Sequence, residues 1–374
     1  MNLRLILTML AAAVCLLLPV QGEAHPASGI VADRAGNIYF SDLETIWKFS
    51  TEGKLTVFRA GQRGRHVHEL AIDDQGNIYG ADVSYNPATK GWPTAIWKMT
   101  ADGTITYLLE TTENPPRAMS IWRDRVGNSY WVDQNNHTKT ETLLLKRTPG
   151  GIVTTLAGGE YGHADGKGTA AKFGSVGGIA LRPDGTLYLT DGVSIRKVTQ
   201  EGVVTTIVNR LNFRDGRDQP RFLSGVSSGL TGLSLASDGT IYAADAANRR
   251  LFKITPDGIP EVILHTEPPY FPNGVATLGS DLYVLEVGFT LPNISSGPRV
   301  RKISADGKQT ILTTVGADNG SHELPFAIKA GVTAENALVL VSGDGRWRYL
   351  MGLISLGMLS IIILLWQRQR RAWA

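Results

Sequence analysis

The chain has a single cysteine, Cys15, in 374 residues. An internal disulfide scaffold is therefore excluded. Cys15 lies in an apolar N-terminal run, so removal of that run would also remove the only thiol able to act as a nucleophile. Histidine is sparse as well, with 7 copies and no zinc-ligand spacing beyond His66-x-His68. No phosphate-binding loop is present. Charged residues make up only 19% of the chain, whereas 43% is apolar, a balance that argues against disorder. Glycine is abundant, at 42 residues, but has no three-residue period, which excludes a collagen-like chain.

The two ends read as targeting segments. Residues 1–24 have Arg4 ahead of an apolar stretch from Leu5 to Val20, then Gly22-Glu23-Ala24 before His25. This is the pattern of a cleaved secretory signal. An uncleaved anchor helix and a lipid-modified Cys15 are the other readings, although Val14 precedes the cysteine where a small residue is wanted. Residues 344–349 form a juxtamembrane stretch, and Leu350–Trp366 is an uncharged apolar run. At about 1.5 Å per residue that run is just long enough for a bilayer core. Arg346 and Arg348 flank one side, and Arg368, Arg370 and Arg371 lie in the basic tail 367–374. The expectation is a single-pass transmembrane helix with a cytoplasmic C-terminus and an extracytoplasmic remainder, periplasmic or extracellular. A buried core helix or a glycolipid-anchor signal fits the RQRR ending less well.

Charge follows the same partition. Residues 344–374 carry net +4, residues 1–24 are neutral, and residues 25–343 carry net −1 within a total of +3. The basicity belongs to the anchor, so a nucleic-acid partner is not expected.

Between the ends one unit recurs. A hairpin with a glycine turn appears at Gly29–Asp42, Glu69–Asp82, Ala118–Asp133, Gly178–Asp191, Gly232–Asp245 and Gly274–Glu286. A second turn, Lys-x-[Ser/Thr]-x-x-Gly, follows each time, starting at Lys48, Lys98, Lys146, Lys197, Lys253 and Lys302. Its period is about 50 residues, the signature of a repeat architecture. Each unit gives four short antiparallel strands, A to D, and units of this kind close radially into a β-propeller. The expected fold is all-β, a six-bladed propeller over 25–343. Residues 327–342 resemble strands A and B of a further unit, so seven blades is the alternative.

Residues 154–208 are similar to an NHL repeat. The resemblance is carried by Leu156-Ala-Gly-Gly159, Gly162-His-Ala-Asp-Gly166, Gly168-Thr-Ala-Ala-Lys-Phe173, Gly178-Ile-Ala-Leu181 and Ile195-Arg-Lys-Val-Thr199. It implies the propeller fold but no single activity, since similar propellers include protein binders, RNA binders and enzymes.

Loop lengths are uneven. The A–B and C–D turns are tight, whereas the B–C and D–A connections are long, including 82–94, 133–141, 157–177, 208–229 and 286–298. Antiparallel geometry puts the long connections on one face, where binding is expected. Loop aromatics there, Tyr85, Trp92, Tyr161, Tyr270, Phe271 and Phe289, suit contacts with a protein, peptide or glycan or pack the loops on the blades. Each strand B ends in an acid: Asp42, Asp82, Asp133, Asp191, Asp245 and Glu286. They read either as cation ligands or as acceptors for their own turns, and six-fold recurrence favours the turns.

The heads of the A strands differ from blade to blade, with His68-Glu69, Arg117, Gly177, Thr231 and Asn273. Arg117 can clamp an anion and His68 can act as a base, or the set holds ordered water in the channel. Phe271-Pro-Asn-Gly-Val-Ala276 resembles a segment of gluconolactonase-like propellers, in which the asparagine binds a divalent cation. That resemblance implies Asn273 as a ligand of Ca²⁺ or another divalent metal, with Glu69 as the candidate second ligand. The expected function is therefore a membrane-tethered binding module using His68, Glu69, Trp92, Arg117, Tyr270 and Asn273. The alternative is a metal-dependent hydrolase or lactonase.

Overall fold

The computed structural model describes residues 29–84, 86, 88, 93–109, 122–134, 140–211, 230–288 and 297–316. The predicted signal and membrane helix, Trp92, Arg117 and the 327–342 hairpin lie outside the described residues. Among the described residues no helix is long and apolar enough to cross a membrane.

Six antiparallel sheets follow one another along the chain, each made of consecutive strands. The first holds β1 (Ile30–Ala32), β2 (Ile38–Ser41), β3 (Ile46–Phe49) and β4 (Leu55–Arg59). The second holds β5 (Ala71–Ile72), β6 (Ile78–Val83), β7 (Thr94–Met99) and β8 (Ile105–Leu109). The third holds β9 (Trp122–Arg123), β10 (Ser129–Gln134), β11 (Glu141–Arg147) and β12 (Val153–Glu160). The fourth has five strands: β13 (Gly166–Lys167), β14 (Val176–Leu181), β15 (Leu187–Asp191), β16 (Ser194–Val198) and β17 (Val203–Val208). The fifth holds β18 (Leu230–Leu235), β19 (Ile241–Asp245), β20 (Arg250–Ile254) and β21 (Pro260–His265). The sixth holds β22 (Tyr270–Leu278), β23 (Asp281–Gly288), β24 (Arg299–Ile303) and β25 (Gln309–Thr314). Four strands per blade were expected. In the fourth, the long D–A connection folds back so that β13 pairs with the outer edge of β17.

The innermost strands contact their neighbours in order, and β22 returns to β1, which closes a six-bladed propeller. The core lies between sheets rather than within them, because alternating side chains leave each sheet apolar on both faces. Val31, Tyr39 and Ile46 meet Ile78, Trp97 and Met99 between the first two sheets. Ala180, Tyr188 and Ile195 meet Leu233, Ile241 and Phe252 between the fourth and fifth. Apolar packing joins the last blade to the first: Ile30, Phe40 and Trp47 lie against Tyr283, Leu285 and Val300. Each fully buried side chain of this size contributes about 1.5–3 kcal/mol.

Register explains the recurrent lysine. In every blade it sits directly across from a tyrosine of strand B: Tyr39–Lys48, Tyr79–Lys98, Tyr130–Lys146, Tyr188–Lys197, Tyr242–Lys253 and Tyr283–Lys302. The ammonium lies 5.5 Å from the Tyr39 ring and 5.8 Å from those of Tyr130 and Tyr283. Such cross-strand pairs stabilise a sheet by cation–π attraction while the lysine tip stays wet.

The A–B turns of the first three blades are held by an aspartate that the sequence reading did not single out. Asp33 accepts from the Asn37 amide (2.9 Å), Asn37 Nδ2 (2.7 Å) and the Tyr39 hydroxyl (3.2 Å). Asp73 and Asp124 do the same with Asn77 and Tyr79, and with Asn128 and Tyr130. Burial, together with the Asp33 carboxylate, pushes the Tyr39 phenol up to about 12. The tight-turn face is thus built from self-satisfied turns, which leaves the opposite face to carry variation.

Candidate functional site at the channel mouth

The inner strands hydrogen-bond on one edge only, so their other edges line a central cavity of about 230 Å³. Its walls include Ile30, Ala71, Ile179, Leu233 and Val275, with Glu69 preceding β5 at the loop end. Asp73 and Arg123 stand at the tight-turn end.

The heads of the inner strands are drawn together by small residues and bulges. The Gly29 amide donates to the His68 carbonyl at 2.8 Å, and a Cβ on Gly29 would lie 2.9 Å from the Glu69 carbonyl carbon. A Cβ on Gly178 would collide with the Thr231 carbonyl, and one on Gly232 would lie 2.6 Å from Gly274 Cα. Register slips occur between Val176 and Ile179, between Leu230 and Leu233, and between Pro272 and Gly274. A bulge re-aims the extra residue, which places Gly177, Thr231 and Asn273 at equivalent irregular positions. Thr231 Oγ1 donates to the Asn273 carbonyl at 2.8 Å. Gln134 spans two blades by bonding both the amide and the carbonyl of Val176, at 3.0 and 2.8 Å.

Three of the six expected site residues therefore belong to the heads of inner strands. His68 is buried, with its ring 5.8 Å from that of His66. Asn273 is buried at its bulge. Glu69 is 8% exposed, and its Oε1 has no hydrogen-bond partner. Burial without a compensating charge pushes its carboxyl well above the usual range. Trp92 and Arg117 lie outside the described residues. Tyr270 is half-buried and does structural work: its carbonyl accepts from Arg249 Nη1 at 2.6 Å and Thr266 Oγ1 at 3.0 Å. The Arg299 guanidinium covers its ring at 3.5 Å. Phe271 is fully buried in packing, whereas Tyr161 is 37% exposed on its D–A connection.

Most of the strand-B acids are consumed by the fold, in line with the structural expectation. Asp42 accepts from the Glu44 and Thr45 amides and from Trp47 Nε1 at 3.2, 2.8 and 2.7 Å. Asp245 takes Arg250 Nε at 2.9 Å and the Asn248 amide at 3.2 Å. Glu286 lies between Arg299 Nε, at 2.5 Å, and Arg301. The arginines were not anticipated: Arg196 and Arg250 lie five residues after their acids, where the first blade has Trp47, and Arg299 lies thirteen after Glu286. Asp191 is held by Arg196 Nη1 at 2.6 Å and the Gly174 amide at 2.8 Å, with His163 Nδ1 at 3.0 Å. Arg196 also reaches Asp165 and the Ala164 carbonyl, and so fastens the long connection that carries His163. Among the described residues no three His, Cys, Asp or Glu side chains are grouped so as to hold a metal ion.

Residues 159–225 match the family described as the teneurin NHL domain, which covers that same fastened connection and the rest of the fourth blade. None of the curated proteins matches the chain by sequence. Among solved structures, the chain resembles one in a nidogen/laminin complex at 15% identity and TM-score 0.50, covering 73% of this chain and 91% of that one. It resembles a luciferin-regenerating enzyme at 15% identity and TM-score 0.50, covering 78% and 94%. A gluconolactonase from Xanthomonas campestris aligns at 14% identity and TM-score 0.48, covering 73% and 89%. At these identities the likeness concerns the fold alone. The match over 159–225 bears out the resemblance read from residues 154–208, and the chain has the fold of an NHL-type six-bladed β-propeller.

Proposed function

We propose that the chain is a membrane-anchored, extracytoplasmic propeller that binds a protein, peptide or glycan through its long-loop face. The observation that carries this is the asymmetry of the two faces. The A–B and C–D ends close in tight turns whose polar groups are satisfied locally, as at Asp33, Asp73 and Asp124. The B–C and D–A ends carry the long connections, the exposed Tyr161 and the channel mouth with His68, Glu69 and Asn273. Tethering is supported by the apolar run Leu350–Trp366 and its basic flanks. A rigid scaffold with elaborated loops on one side is suited to recognition.

A photo-crosslinking amino acid at Tyr161, compared with one at the exposed Val126 on the tight-turn face, tests this in the intact membrane-bound chain. Tyr161 should capture a discrete partner and Val126 should not. Equal capture from both positions, or capture from Val126 alone, would overturn the reading.

The second reading is a divalent-metal-dependent hydrolase or lactonase. It is favoured by Glu69, a buried carboxyl with an unpartnered oxygen at the channel wall. Ca²⁺ or another divalent ion would then sit on Glu69 and Asn273. Stabilisation of the full chain by Ca²⁺ in a thermal melt, lost in Glu69→Gln, is the outcome it requires.

A further inference from the structure

An open sheet edge carries a row of backbone N–H and C=O groups that another strand can complete. The outer edges of the blades differ in how they are closed. In the fourth blade β13 covers β17, with Gly166 across from Val204, and the Asp165 carboxylate takes the Thr206 amide at 3.0 Å. In the fifth, β21 begins at Pro260, which has no N–H to offer. In the sixth, Gln309 heads β25 and accepts from Arg301 Nη1 at 3.2 Å. In the first, β4 ends in Arg59, which is committed to Asp82. In the third, the Leu156 carbonyl of β12 lies against Gly202 of the next blade.

Strand β8 of the second blade has none of these devices. Its sequence Ile105-Thr-Tyr-Leu-Leu109 has no charge and no proline, and among the described residues no strand pairs with its outer edge. Ile105 and Tyr107 are 37% and 41% exposed, and among the described residues no other outer strand exposes two large apolar side chains. Two residues apart, they share one face of the strand. Register also fixes the backbone. Thr106 sits across from Lys98 as Thr205 sits across from Lys197, so Ile105 corresponds to Val204 and Tyr107 to Thr206. The Thr206 amide faces outward, to Asp165. Backbone direction alternates along a strand, so the N–H and C=O groups of Ile105 and Tyr107 face the open edge.

This edge is complementary to itself. A two-fold axis at Thr106 sets Ile105 across from Tyr107 of a second copy, and Tyr107 across from its Ile105, each pair exchanging both backbone hydrogen bonds. The exposed β-branched and aromatic side chains then lie side by side on one face, a cross-strand pairing that stabilises sheets. We propose that the chain pairs with a second copy of itself through β8, the two outer edges joining antiparallel about Thr106.

Oxidative crosslinking of the full-length chain as expressed in cells provides the test, in a Cys15→Ser background that leaves no native thiol. The axis makes Thr106 and its copy a non-hydrogen-bonded pair, with Cα atoms about 4.5 Å apart, within reach of a disulfide. Thr106→Cys should therefore give a disulfide-linked dimer. Thr310→Cys, at the equivalent place across from Lys302 on β25, and Thr205→Cys, on the covered strand β17, should not. All three side chains are exposed, so the substitutions leave the packing intact. Adding Tyr107→Lys to Thr106→Cys should lower the linked fraction severalfold, because it sets a charge against Ile105 of the second copy. No dimer from Thr106→Cys, equal yields from the three positions, or a linked fraction that Tyr107→Lys leaves unchanged would each overturn the proposal. Capture of a different protein at Thr106→Cys would also overturn it, giving the edge to another partner. Crosslinking from Tyr161 samples the loop face, so either result can stand without the other.

Discussion

Arg59, on the outer strand of the first blade, grips Asp82, on the second strand of the second blade, through two parallel bonds of 2.7 and 2.6 Å. The guanidinium also lies 4.6 Å from the centre of the Trp97 ring, whose indole nitrogen donates to the same carboxylate at 3.0 Å. Both charged side chains are at least nine-tenths buried. The pair fixes the position of one blade against the next, where apolar packing alone has no direction.

Removing either partner strands a buried charge. Asp82→Ala is expected to destabilise the chain by about 3–5 kcal/mol. Arg59→Ala should cost a similar amount, and the double substitution less than the sum of the two. Arg59→Lys should recover only part of the loss, because a lysine cannot make both parallel bonds. Chemical denaturation of the four variants checks this, and additive losses would show that the two residues act independently.

Two turn glycines that look alike in sequence should behave differently. Gly53 and Gly202 both end a Lys-x-[Ser/Thr]-x-x-Gly turn, with φ of 80° and 76°. A Cβ on Gly53 meets nothing within 4 Å, whereas one on Gly202 runs into the Leu156 carbonyl of the third blade. Gly53→Ala should therefore cost only the left-handed strain, about 1–2 kcal/mol. Gly202→Ala should cost clearly more, since the third and fourth blades must separate. Equal shifts in melting temperature would refute the inter-blade contact.

Glu69 makes stability depend on pH in a direction opposite to most native carboxylates. Burial raises its folded pKa well above 4.5, so between the unfolded and folded values the native state holds a proton that the unfolded chain has lost. Stability must then fall as pH rises from about 4.5 through the folded value. Below that window the penalty is absent. Glu69→Gln cannot titrate, so its melting temperature should match the wild type near pH 4 and exceed it near pH 8. A difference that does not vary with pH would refute the assignment.

Much of the fold was legible in the sequence because propeller blades are local. Each hairpin is set by neighbours a few residues apart, and the six left-handed glycines from Gly53 to Gly307 sit where the repeated turns put them. The role of the strand-B acids was legible in kind: Asp42 and Asp245 accept from their own turns, as expected. Their arginine partners were not: Arg59 is 23 residues from Asp82 and belongs to another blade, while Arg196 and Arg250 occupy an offset of five residues that holds Trp47 in the first blade. The fifth strand β13 was missed for the same reason, since Gly166–Lys167 has no strand pattern of its own and is recruited by the free edge of β17. Tyr270 reads as a loop aromatic suited to ligand contact or to packing, and only the tertiary arrangement puts Arg299 over its ring.

By itself, then, the sequence determined the repeat, the strand pairings within each blade, the unequal faces and the displaced charge of the C-terminal tail. Those properties depend on local backbone preference and on residue spacing. Tertiary structure decided which polar groups are consumed and which are left over. Asp82 and Asp191 find buried arginines and Glu286 two partly exposed ones, while Glu69, an acid of the same type, has no ion pair among the described residues. The physical reason is that desolvation and hydrogen-bond saturation depend on which side chains converge in space, from the same blade for Arg196 on Asp191 and from the neighbouring one for Arg59 on Asp82.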